Sequence, residues 1–247
     1  MIKTRFVPLA ISLLLFMAPG NAAAPKKVLK ISRQNVQLLQ NIGGYSDLEV
    51  LSISCVESLR SLPDAIGKLT RLKELIMDNG NGCSMNPLLP ESTGNLHSLE
   101  KLVLYGAQDP CGAGNEPGPQ PRERHRFPPS MSQLQNLTYL DLGRNGLEEI
   151  PLFVKDLPGL REFRFQWNRL KAIPAFTANL RELTTLRLDG NDLDNLPDFL
   201  NTLPKLIRIT LGNNCKITQN SAKIKDLKRR FPKVVFDFTD EYDCPSN

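Results

Sequence analysis

Residues 137–159 read LTYLDLGRNGLEEIPLFVKDLPG. Leu137, Leu140, Leu142, Asn145, Leu147, Ile150, Pro151, Val154 and Leu157 spell L-x-x-L-x-L-x-x-N-x-L-x-x-I-P-x-x-V-x-x-L. The pattern returns as Leu160, Phe163, Phe165, Asn168, Leu170, Ile173, Pro174 and as Leu183, Leu186, Leu188, Asn191, Leu193, Leu196, Pro197. Blocks starting at Leu137, Leu160, Leu183 and Leu206 are spaced by 23 residues each. Self-similarity at one fixed period marks a stack of like units, each too small to bury its apolar face alone. L-x-L places two apolar side chains on one face of a short strand, because strand side chains alternate. The Asn turns the chain off the strand, and its amide is expected to satisfy buried backbone groups of its own and adjoining units.

Looser copies run toward the N-terminus: Leu48, Leu51, Ile53 with Leu62-Pro63; Leu72, Leu75, Met77 with Leu89-Pro90; Leu99, Leu102, Leu104 with Phe127-Pro128. Val56, Gly80 and Ala107 hold the Asn position there, so the ladder of Asn145, Asn168, Asn191 and Asn214 is expected to be broken, with Cys55 a substitute for one missing amide. After each Pro, as in Asp64–Leu69 or Asp198–Leu203, a short helix or turn should turn its third and sixth residues inward. The unit beginning at Leu206 departs into a basic helical stretch, Ser221–Arg230, and an apolar strand-like run from Val234 to Phe238.

These motifs resemble the leucine-rich-repeat superfamily, in the 23-residue L-P-x-x-I-x-x-L form of bacterial and SHOC-like proteins, over about residues 28 to 238. The resemblance implies an α/β solenoid: a horseshoe with a parallel concave sheet and short helices or turns on the convex side. The expected division is a signal peptide (1–23), an N-terminal cap (24–47), repeats one to six (48–205, with an insertion at 109–126), and a last repeat with a C-terminal cap (206–247). The resemblance also implies an interaction scaffold.

Lys3 and Arg5 precede an apolar run from Phe6 to Ala18, followed by Gly20, Ala22, Ala23 and Ala24, the layout of a cleavable export signal. The other reading is an uncleaved anchor, although the run falls short of the ~20 residues a spanning helix needs. Cleavage leaves no segment for stable membrane insertion and lowers the net charge from +5 to +3, too little and too scattered for a nucleic-acid partner. Export would permit disulfides among Cys55, Cys83, Cys111, Cys215 and Cys244. Their positions suggest bridges Cys215–Cys244 and Cys83–Cys111, with Cys55 left over.

Residues between the strand leucines should line the concave face: Tyr139, Asp141, Arg144, Arg161, Glu162, Arg164, Gln166, Trp167, Arg187, Asp189, Arg208 and Asn213, with Glu74, Asp78, Lys101 and Tyr105 from earlier units. Trp, Tyr and Arg together are the composition of binding hot spots. Trp167 could equally pack on Arg144 or Arg164 as a purely structural contact. Seven strands give a face of about 30 Å by 16 Å, near 500 Å², against about 800 Å² per partner in stable complexes. The insertion, ending in Arg122, Arg124, His125 and Arg126, is either extra binding surface or a disordered loop. His97 and His125 are the two histidines, and nucleophile, phosphate and metal motifs are missing, so neither catalysis nor a cofactor is expected. The sequence therefore suggests a secreted or periplasmic protein-binding module, with an envelope scaffold or a host-directed effector as alternatives and the oligomeric state open.

Overall fold

The computed structural model describes residues 27–78, 88–106, 127–239 and 244. The export signal, Cys83, Cys111 and the 109–126 insertion lie outside them. Each repeat contributes a strand: β2 (Val50–Ser54), β3 (Glu74–Asp78), β4 (Lys101–Tyr105), β5 (Tyr139–Asp141), β6 (Glu162–Arg164), β7 (Thr185–Arg187) and β8 (Arg208–Thr210). The capping segments add β1 (Val28–Ile31) and β9 (Val235–Asp237), so the described residues form one sheet of nine strands rather than seven. All neighbours pair in parallel and in chain order. The extra strands answer a physical need, since the end units would otherwise leave backbone groups and an apolar row open to water.

Register carries the sequence repeat into space. Leu102 lies opposite Leu140, Leu140 opposite Phe163, Phe163 opposite Leu186, and Leu186 opposite Ile209. Each motif position therefore becomes a row running across the strands. The leucine rows are fully buried and merge into one continuous core.

Behind the sheet, a Pro precedes five-residue 3-10 turns at Asp64–Lys68, Glu91–Asn95, Leu152–Asp156, Ala175–Asn179 and Asp198–Thr202. Pro129–Gln133 forms the same turn after Pro128. Proline suits this start because its φ is preset and it lacks an N–H. The third residue of each turn, such as Ile66, Met131, Val154 and Leu200, and the sixth, such as Leu69, Leu134 and Leu157, are buried. Thr93 and Thr177 take the third position in two turns, and their buried hydroxyls have no hydrogen-bond partner among the described residues. Neighbouring turns pack closely, and a Cβ on Gly94 would stand 2.4 Å from the Ser130 carbonyl oxygen.

The Asn ladder is continuous from Asn145 to Asn214. Asn168 Oδ1 accepts from the backbone N–H of Asn145 (3.1 Å) and Leu147 (3.0 Å), and its amide donates to the carbonyls of Leu142 (2.9 Å) and Phe165 (3.1 Å). Asn191 and Asn214 likewise accept from Leu170 and Leu193 and donate to carbonyls of two adjacent units. In the first unit Val56 holds this place and is fully buried. Cys55 does not substitute for the amide. It occupies the preceding left-handed position, at φ 53°, and its carbonyl accepts from Arg33 Nε at 3.0 Å.

At the other end, the helices Cys215–Thr218 and Ser221–Arg230 and strand β9 close the core with Ile217, Leu227 and Phe231. The helix's basic residues bind the previous unit: Arg230 reaches Asp198 (2.8 Å from Nε) and Asn195 (2.9 Å), and Lys223 pairs with Asp194. Cys215 and Cys244 are joined by a disulfide. Cys55 is also disulfide-bonded, which corrects the expectation that it is the unpaired thiol. The expected Cys83–Cys111 bridge lies outside the described residues. Together the repeats, the parallel sheet and the turns behind it make a leucine-rich-repeat solenoid.

Candidate functional site

The sheet face opposite the turns carries the side chains between the leucines. One row runs Glu74, Lys101, Tyr139, Glu162, Thr185, Arg208, Val235, and the next runs Ile76, Val103, Asp141, Arg164, Arg187, Thr210, Asp237. Residues just beyond the strands continue the surface to the ladder Asn of each unit.

Two stacks of aromatic and cationic groups stand here. In the first, Tyr139 on β5 lies between cations of the flanking strands, Lys101 (5.1 Å from its ring centre) and Arg164 (5.0 Å). Arg164 donates to Glu162 at 2.7 Å, and Arg187 Nε stands 3.6 Å from the same carboxylate oxygen. Burial, followed by the nearby Asp141, pushes the Tyr139 phenol up to about 12, so at neutral pH it is a protonated donor. In the second stack, the Arg144 guanidinium lies 5.9 Å from the Tyr105 ring and 5.7 Å from the Trp167 ring. Tyr105 covers Gly143, where a Cβ would be 2.9 Å from its ring, and Trp167 covers Gly190 in the same way.

The second stack rests on an unusual backbone. In the described units the residue before the ladder position is left-handed: Cys55 (φ 53°), Arg144 (56°), Trp167 (57°) and Asn213 (54°), with Gly106 and Gly190 in the equivalent places. That conformation costs a side chain about 1–2 kcal/mol. A cation–π contact returns only about 0.5–1 kcal/mol, whereas a ladder Asn satisfies several buried groups whose loss costs about 1–3 kcal/mol each. The ladder therefore enforces the turn, and the turn tips Arg144 and Trp167 onto the sheet face. The left-handed positions were missed in the sequence, although Gly190 and Asn213, residues that tolerate positive φ, stand at two of them.

The structure thus brings Tyr139, Arg144, Arg164, Trp167 and Arg187 together, with Lys101, Tyr105 and Glu162. Gln166 is partly buried, and its Oε1 and Arg187 Nε are buried atoms without hydrogen-bond partners among the described residues. Arg208 is exposed one strand further on and helps hold the Asp237 carboxyl below its usual range, after the dominant hydrogen bonds of Thr239.

Three expected positions differ. Asp141 is only 6% exposed, and its Oδ1 accepts the Gly143 N–H at 2.9 Å. Burial raises its carboxyl above the ordinary range. Asp189 turns into the next unit, accepting from the Thr210 hydroxyl and the Gly212 N–H (3.0 Å), and burial raises it too. Short acidic side chains beside a turn find backbone N–H groups before they reach a ligand. Arg161 precedes β6 and lies near Glu182, where it adds to the Lys205 hydrogen bond that lowers that carboxyl.

No protein-family model and no curated protein matches the chain. Among solved structures, a leucine-rich-repeat protein of Leptospira interrogans is similar at 24% identity and a TM-score of 0.47, over 81% of this chain. The chain spans 57% of that protein's length.

Proposed function

We propose that this chain is an extracytoplasmic protein-recognition module that binds a partner on its sheet face and performs no catalysis. The carrying observation is the convergence of Tyr139, Arg144, Arg164 and Trp167 in two adjoining stacks. Trp, Tyr and Arg are the residues that dominate binding energy at interfaces, and rigid stacking lowers the entropy cost of presenting them. Location outside the cytoplasm is supported by the export-type N-terminal sequence and by the disulfides at Cys55 and at Cys215–Cys244.

Nine strands widen the face to about 38 Å by 16 Å, near 600 Å², still below the ~800 Å² of a stable complex. The reading is therefore of a modest-affinity interface unless loops at its edge contribute. The test is the double variant Arg164→Ala, Trp167→Asn, in which Asn keeps the left-handed backbone tolerable. Partner captured from envelope extract or culture supernatant by the parent should be lost with the variant, while circular dichroism stays unchanged. Full capture by the folded variant would overturn the reading.

A further inference from the structure

We infer that the sheet face takes an extended acidic segment of a partner protein, with carboxylates seated on Lys101, Arg144, Arg164, Arg187 and Arg208. This rests on the reading of the face as a protein-binding surface.

The aromatic rings of this face are already engaged within the protein. Tyr139 is flanked by Lys101 and Arg164, Trp167 by Arg144 and Gly190, and Tyr105 by Gly143 and Arg144. Their faces are occupied within the protein, so they make a poor platform for stacking a sugar ring. They act as spacers that fix the cations, and what they leave outward is the edge of each guanidinium and a phenol hydroxyl. Those groups are hydrogen-bond donors.

The acceptors of this face are largely engaged as well. Asp141 is taken by Gly143, Asp189 by Thr210 and Gly212, and Glu162 by Arg164 with Arg187 alongside. From β4 to β8 those three carboxylates meet the five named cations, and at the two ends Glu74 lies opposite Lys101 and Asp237 faces Arg208 and Arg187. Each guanidinium carries five N–H donors, more than Glu162 and Asp237 can satisfy between them. The face is thus donor-rich and cationic, and its complement is an acceptor-rich anion. Because Glu162 sits beside Arg164 and Arg187, a uniformly charged polymer meets like charge at the centre. A peptide can place carboxylates only where cations lie. From β4 to β8 the strands span about 19 Å, the reach of about six extended residues.

The test uses fluorescence anisotropy with the exported-form chain, disulfides intact. The probe is a labelled decapeptide alternating Glu and Ser, compared with its Gln–Ser counterpart and with heparin. The Glu peptide should bind about tenfold more tightly than the Gln peptide and weaken with added salt. R164Q/R187Q should lose about tenfold, and R208Q, at an exposed position, should weaken binding measurably in its own right. Equal affinity for the Glu and Gln peptides, or affinity unchanged in both variants, would overturn the inference, and so would heparin outcompeting the Glu peptide. If partner capture still depends on Arg164 and Trp167 when the Glu peptide shows no preference, the acidic-segment inference fails alone. If capture is also unaffected, the binding-face reading has failed.

Discussion

Gly190 and Trp167 form a coupled pair at the scale of single residues. A Cβ on Gly190 would stand 2.2 Å from Trp167 Cε3, and its φ of 63° disfavours any side chain. Gly190→Ala should therefore lower stability by roughly 2 kcal/mol or more in urea unfolding, and adding Trp167→Gly should recover all but the ~1–2 kcal/mol backbone cost. Thr177 offers the opposite sign. Its hydroxyl is buried without a partner among the described residues, so Thr177→Val should stabilise by about 1 kcal/mol, read as a raised urea midpoint at unchanged slope. Asp141 links stability to pH. Its folded-state pKa is raised, chiefly by burial, so its ionised form costs stability above that value, and the cost disappears as pH falls below the ordinary Asp range. Asp141→Asn, which can still accept from Gly143, should be more stable than the parent at pH 7, and the difference should shrink toward pH 3.5. A gap that stayed constant with pH would contradict the titration.

Among the elements, the Asn ladder holds the strand-exit turns. Asn168 satisfies two backbone N–H groups and three carbonyls in two units, with an exposure of 7%. Asn168→Ala strands several of them at about 1–3 kcal/mol each, so a loss above about 3 kcal/mol is expected. Amide exchange should localise that loss to residues 142–170 before it spreads, because each unit contacts mainly its neighbours. The ladder, the 3-10 turns and the leucine rows were legible in the sequence because each is a local pattern repeated with period 23. Positive φ before the Asn was not, because Arg144 and Trp167 have no intrinsic preference for it. The neighbouring turn imposes it.

On the scale of the whole molecule, stability is a chain of interfaces terminated by caps. The Cys215–Cys244 bond closes a loop with a sequence separation of 29 and should contribute about 3–4 kcal/mol by the chain-entropy account. Cys215→Ser with Cys244→Ser should loosen the terminal helix and β9 first, visible as early amide exchange at residues 217–238, while β5 to β7 keep their protection. Uniform loss of protection along the solenoid would show that the tail supports the entire array.

What the sequence determined by itself is the repeat and therefore the solenoid, since a leucine every second or third residue at a fixed period has one way to stack into a continuous core. It also marked the sheet-facing residues, because alternation along a strand is a local rule. Tertiary structure decided which of them meet. Arg144 and Trp167 lie 23 residues apart and are stacked by register and by an enforced turn. Asp141 and Asp189 were withdrawn by nearby backbone donors, and Arg161 was brought near Glu182. Cys55 is disulfide-bonded, where its place in the repeat had left it over. Those outcomes depend on distances between units, and a one-dimensional period carries no information about them.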